Sequence, residues 1–209
     1  MAVVITRTAN PDGVNSVTNV ATYTNAAIGD AHPDRVVVVC VGVESAATID
    51  SCTLGGTGMT AGTQGRLAST VAARTFYLAY PTGTTATVAV TFSADILAAG
   101  NHIAVYNISD GAYASSGGDS SSDMDSTDAL TTGSVTVATG GGLIAVAAGR
   151  GESVKVWSVG GIGEDLDVDE ENEVGVDTDF TLTGNITSDA DHYKDTQQII
   201  TCRVYQLAT

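Results

Sequence analysis

The sequence predicts an all-β fold, a jelly-roll-like antiparallel β-sandwich with long polar loops. Three observations carry that expectation. The run Asp34-Arg35-Val36-Val37-Val38-Val39-Cys40-Val41-Gly42-Val43 is apolar at consecutive positions and rich in β-branched residues, as expected of a strand covered on both faces. Short apolar segments of the same kind recur to the end of the chain, each closed by Gly, Thr, Asp or Pro. Hydrophobic residues make up 43 % of the chain but aromatics only 5 %, and there are 24 glycines. Val, Ala, Leu and Ile must therefore fill the core, with β-turn residues between.

Taken in order, strands are predicted at residues 3–6, 17–23, 35–43, 48–54, 75–80, 85–92, 102–108, 134–138, 142–148, 154–159, 179–183 and 198–207. In the sixth, Val88, Val90 and Phe92 alternate with Thr87, Ala89 and Thr91, the period-2 mark of a half-buried strand. In the last, Ile200, Cys202, Val204 and Gln206 share one face, with Ile199, Thr201, Arg203, Tyr205 and Leu207 on the other. Pro81-Thr82-Gly83-Thr84 reads as a hairpin loop, and glycine turns fall at Thr139-Gly140-Gly141-Gly142 and Gly160-Gly161-Ile162-Gly163. Residues 94–99 offer a short helical turn ended by Gly100. Residues 115–128 read as a surface loop or a bridge between the two halves of one domain, and the acidic stretch 164–179 as a loop or hairpin tip exposed to solvent. Neither is long enough to divide independent domains, so a single sandwich domain over residues 1–209 is expected, with residues 1–14 as a candidate amino-terminal arm.

Charge excludes some functions. The net charge is −16, and the eight lysines and arginines are scattered rather than gathered, whereas a nucleic-acid binder needs a basic stripe to neutralise phosphates. The same charge repels anionic membrane. No apolar run approaches the ~20 residues that span a bilayer, and residues 1–7 do not read as a secretory signal. A chain made in the cytoplasm of its producer is expected. Cys40, Cys52 and Cys202 lack metal-site spacing. Cys40 and Cys202 sit in apolar strand patterns and are expected to be buried, while Cys52 is expected to be more exposed.

No motif points to catalysis. Gly56-Thr57-Gly58-Met59-Thr60-Ala61 loosely matches a dinucleotide fingerprint, but no helix follows, so a glycine-rich turn is the reading. Asp165, Asp167 and Asp169 begin like a calcium loop, but Glu170 and Val176 replace the Gly and Glu an EF-hand requires. They stay weak calcium candidates, as do Asp119, Asp123, Asp125 and Asp128. Asp167-Val168-Asp169-Glu170-Glu171 brushes a glycosidase pattern, yet surrounding acids suit exposure rather than the apolar cleft that raises a catalytic carboxyl. There is no G-x-S-x-G elbow. His32, His102 and His192 have no evident nucleophile beside them in sequence, and the sequons at Asn107 and Asn185 read as coincidence. No cofactor is expected.

The order of segments is familiar. Thr22-Tyr23-Thr24-Asn25-Ala26-Ala27-Ile28-Gly29-Asp30 followed by Arg35-Val36-Val37-Val38-Val39 resembles the opening of a β-sandwich module of tailed-bacteriophage virion proteins. Thr53-Leu54-Gly55-Gly56, Thr75-Phe76-Tyr77-Leu78-Ala79-Tyr80, Thr85 to Thr91, His102 to Gly111 and Gly141 to Ala148 are similar to its later steps. The resemblance covers roughly residues 20–207 and carries no active-site signature. It implies a structural virion protein, most directly a capsid decoration protein on the outer head surface, assembled in the host cytoplasm. Its partners would be the major capsid protein and sister copies, with no nucleic acid and no membrane. The alternative is a tail- or fibre-associated module that binds carbohydrate or receptor. Candidate contact residues are Val3, Val4 and Ile5 in the amino-terminal arm and Met124 in the polar stretch.

Overall fold

In the computed structural model, the structure describes residues 4–9, 18–67, 71–96, 101–109, 120–125, 129–131, 135–137, 142–149, 155–157, 163–168, 172–177, 184–186, 189–192 and 198–205. Among these residues every element of regular structure is a strand.

In the first half the strands are β1 (Val4–Ala9), β2 (Thr18–Ala27), β3 (Val36–Glu44), β4 (Ile49–Leu54), β5 (Thr57–Gly58), β6 (Thr60–Leu67), β7 (Val71–Ala79), β8 (Thr85–Ile96) and β9 (Asn101–Ser109). Their pairing is that of one long antiparallel hairpin wrapped on itself. β1 pairs with β9, β2 with β8, β3 with β7 and β4 with β5. Rolling that hairpin gives a front sheet β1-β9-β3-β7-β6 and a back sheet β2-β8-β4-β5. This is the jelly-roll order, with β6 added at one edge.

The core lies between these sheets. Val37, Val39, Val41, Val43, Ile103, Val105 and Phe76 meet Tyr23, Ile49, Cys52, Leu54, Val88, Val90, Phe92 and Ile96. The alternate residues of the front sheet, Val36, Val38, Cys40, Tyr106, Ile108 and Tyr77, are also buried. They face a second five-stranded sheet, β10-β19-β13-β16-β15, in which β13 lies against β3 and β7, β19 against β6 and β7, and β10 against β6. Ile144 and Val146 of β13 are fully buried. The apolar character of β3 on both sides follows from this placement between two sheets.

The second half repeats the winding. Its strands are β10 (Ser120–Asp125), β11 (Ala129–Thr131), β12 (Val135–Val137), β13 (Gly142–Gly149), β14 (Lys155–Trp157), β15 (Gly163–Val168), β16 (Asn172–Asp177), β17 (Gly184–Ile186), β18 (Asp189–His192) and β19 (Gln198–Tyr205). β10 pairs with β19, β11 with β18, β12 with β17 and β13 with β16. The sheet order β10-β19-β13-β16-β15 matches β1-β9-β3-β7-β6 position for position. β11 and β12 together stand where β2 does, β17 and β18 where β8 does, and β14, paired with β18, where β4 does.

Several expectations are corrected. The helical turn at residues 94–99 gives way to β8 as far as Ile96, where Phe92 and Ile96 keep the buried face of a strand; the period-2 pattern outweighs alanine's helix propensity. Of the glycine-rich turn expected at residues 56–61, Gly56 lies in a turn, while Thr57–Gly58 is β5 and Thr60 and Ala61 open β6. Gly62 is there for close approach, since a Cβ would stand 2.5 Å from Thr75 Oγ1. Within the polar stretch 115–128, Ser120–Asp125 is a strand paired with β19. In the acidic stretch, β15 and β16 form an antiparallel hairpin. The predicted strand 179–183 lies outside the described residues.

Cys52 is buried in the core rather than exposed. It sits on the inward-facing positions of β4 with Ile49 and Leu54, and burial pushes its thiol up to about 12. Cys40 is buried as expected.

Candidate functional site: a polar cleft braced by a buried arginine

The connection from β2 to β3 is organised by Arg35, a fully buried side chain at the mouth of β3. A charge leaves water only when its hydrogen-bonding groups are satisfied. Arg35 meets that condition with backbone carbonyls alone. Nε donates to Tyr80 O (2.7 Å) and one terminal nitrogen to Thr82 O (2.6 Å). The other donates to Gly29 O and Asp30 O (both 2.8 Å), Gly83 O (3.0 Å) and Ile28 O (3.3 Å). Burial lowers its pKa, and the neighbouring Tyr80 and Asp30 oppose that shift; a guanidinium stays protonated regardless. The effect is mechanical. One side chain ties the loop after β2 to the turn between β7 and β8.

The loop is further fixed by its backbone. Arg35 N–H donates to His32 O (3.0 Å), and Asp34 N–H donates to His32 Nδ1 (3.2 Å). With Nδ1 accepting, a neutral His32 ring carries its proton on Nε2. Gly29 has φ +77°, in the left-handed region that favours glycine. A Cβ at that position would collide with the side-chain amide of Asn107.

Opposite the loop runs the edge of the front sheet. Thr6 of β1 stands level with Asn107 of β9. The Thr8 hydroxyl lies 2.8 Å from Ala27 O and 3.1 Å from Val105 O, so β1 is fastened to the end of β2 as well as to β9. Between loop and sheet edge is a cleft of about 360 Å³. Its walls carry Thr6, Thr8, Asp30, His32, Asn107 and Ser109, and Gly29 lies along its floor. Asp30 is exposed and His32 half-buried. Asn107 Oδ1 is buried without a hydrogen-bond partner, an uncommon condition for a buried acceptor.

Elsewhere the buried polar groups serve the fold. Tyr23 Oη donates to Asn101 Oδ1 (2.6 Å) inside the core, and burial, then the nearby Cys52, raises the Tyr23 pKa. Arg74 of β7 donates to Gly62 O of β6 (3.1 Å) and Ile49 O of β4 (2.7 Å), joining three strands, while its guanidinium lies 5.4 Å from the Phe76 ring centre in β7 itself, a cation–π contact.

Among the sequence-derived contact candidates, Val4 and Ile5 lie in β1, paired with Ser109 and Ile108, and Met124 lies in β10 opposite Ile199. Val3 lies outside the described residues. Of the calcium candidates, Asp165 and Asp167 fall in β15, Asp123 and Asp125 in β10, while Asp119, Asp128 and Asp169 lie outside the described residues. Sequence reasoning missed the cleft. Asp30, His32 and Asn107 were each visible, but as part of a resemblance, a loop histidine and a sequon. No local signal announces that Asp30 and His32 converge with Asn107, about 75 positions on, since that depends on β3 pairing with β9. Among the described residues, no helix is long and apolar enough to cross a membrane. In comparisons with known proteins, no family model matches the chain, and no curated protein matches it significantly.

Proposed function

We propose that this chain is a structural virion protein of a tailed phage, most directly a capsid decoration protein that binds the outer head surface and stabilises the shell. The observation that carries this reading is the jelly-roll winding, run twice in one chain and stacked through β3 and β13. Such a stack is a stiff scaffold with sheet edges on which neighbouring subunits can pair. The segment order resembles virion sandwich modules, and a net charge of −16 suits a surface facing away from packaged DNA. The partners would be the major capsid protein and sister copies, and the mechanism binding rather than chemistry. Each copy would bridge neighbouring capsid subunits and add interface area, raising the force needed to burst the shell. Co-sedimentation with decoration-free heads tests it. Saturable binding that raises the temperature of head rupture is the expected result, and no binding at saturating concentration counts against it.

A second reading, a tail- or fibre-associated module that binds carbohydrate or receptor, is favoured by the polar cleft. The two separate by location, which immunogold labelling of assembled particles reads directly.

A further inference from the structure

We infer that the cleft between the β2–β3 loop and the β1–β9 edge is a binding site for a neutral, hydroxyl-rich ligand of monosaccharide size. The inference stands apart from the head or tail assignment, because it rests on the cleft alone.

The volume of about 360 Å³ sits at the small end of ligand pockets, roughly 300–1,000 Å³, and suits one sugar ring. The walls present groups that both donate and accept. The Asp30 carboxylate accepts, the Thr6 hydroxyl donates or accepts, the Thr8 hydroxyl, whose proton goes to a backbone carbonyl, accepts, and His32, with Nδ1 accepting from Asp34 N–H, donates from Nε2 when neutral. Asn107 also lines the cleft, half-buried, with its Oδ1 closed to solvent and without a partner. A ligand hydroxyl can donate to the Asp30 carboxylate while its own oxygen accepts from Thr6 or His32.

Other ligand classes fit less well. An anion would face Asp30 and a chain of net charge −16. A calcium ion takes 6–8 oxygens, usually with several carboxylates. Among the described residues the cleft wall offers one carboxylate, and no group of three metal-ligating side chains occurs. An apolar ligand would meet Ala31 and the carbon atoms of the polar side chains, but would leave the Asp30 carboxylate and the Thr6 hydroxyl without a partner.

The site is held in shape before any ligand arrives. Arg35 grips the carbonyls of Gly29 and Asp30, so the loop that carries Asp30 and His32 cannot drift. Gly29 allows that loop to lie directly on the Asn107 amide. Pre-organisation lowers the entropy lost on binding. With no Trp, Tyr or Phe among the described residues of the wall, affinity for a single sugar should be weak, with Kd on the order of 1 mM.

The test is saturation-transfer NMR on the full chain with the methyl glycosides of glucose, galactose and mannose and with N-acetylglucosamine. The wild type should transfer saturation to the ring protons of at least one. Asn107→Leu and Asp30→Ala should each weaken that binding at least tenfold. Asp30 is exposed, so its variant keeps the test sound if Asn107→Leu fails to fold. Retention of the wild type, but not of Asp30→Ala, on dextran beads would mark a polymer-borne sugar. Transfer without retention would mark a free one, and either supports the site. Absence of transfer from all four probes overturns the inference, as does binding that survives both substitutions. So would a response to calcium or inorganic phosphate in place of the glycosides.

Discussion

β3 and the β15–β16 hairpin belong to equivalent sheets yet carry opposite side-chain patterns. In β3, Val37, Val39 and Val41 enter the core against the back sheet, while Val36, Val38 and Cys40 are buried on the other side, beneath the second five-stranded sheet. The hairpin alternates instead. Leu166 stands opposite Val174, and the next rung sets Asp167 opposite Glu173. Like charges directly opposite destabilise a strand pair, so backbone pairing and the apolar rung must outweigh the repulsion. The same winding thus sets a run apolar on both faces in one place and an alternation of apolar and acidic rungs in the other.

That contrast can be broken most forcefully at β3. Val39→Asp and Val38→Asp each place a carboxylate in a dry layer, on opposite faces. Both should destabilise by more than about 4 kcal/mol, read as loss of the cooperative thermal transition. Near-wild-type behaviour of Val38→Asp would show that the second sheet does not cover that face. Phe76→Ala, in the core of β7, should cost about 3–5 kcal/mol in chemical denaturation. Arg35→Met should cost about 3 kcal/mol, because six carbonyl contacts lose their donor at once. Its hydrogen-exchange signature should be local, with protection lost first at Ile28 and Tyr80, whose amides close the same loops.

A smaller effect belongs to Cys52. Its folded-state pKa is raised to about 12, above the ordinary thiol range of ~8.5. The unfolded chain therefore ionises first and binds fewer protons, so stability falls as pH rises from about 8.5 toward 12. Cys52→Ala should flatten that part of the curve, and the native thiol should resist alkylating reagents until the protein unfolds. The smallest change sharpens the contrast from the hairpin side. Glu173→Lys sets opposite charges across from Asp167 and should add roughly 0.5 kcal/mol, a gain that shrinks as salt is added.

How much the sequence disclosed follows the same division. β3, β8, β9 and β13 were legible because burial imprints a pattern: a continuous apolar run or strict alternation. β6 and β10 were not. Thr-Ala-Gly-Thr-Gln-Gly-Arg-Leu and Ser-Ser-Ser-Asp-Met-Asp are edge strands that pair through main-chain groups, which every residue carries alike. Cys52 was misjudged because Asp50 and Ser51 precede it, yet Thr53 follows and Leu54 restores the inward phase two positions on. For the cleft, chemistry was visible one residue at a time and convergence was not.

The wrapped hairpin also orders events during synthesis. The outermost rung joins Val4 to Ser109, so the first strand made waits for the last strand of its roll. Until β9 emerges from the ribosome, β3 has β7 on one side and an unpaired edge on the other. Closing so long a loop is entropically costly only in a logarithmic sense, but pairings this distant fold slowly, on the millisecond-to-second scale. During that interval the nascent roll presents a bare, valine-rich edge, the state in which the chain is most open to wrong partners and to chaperones.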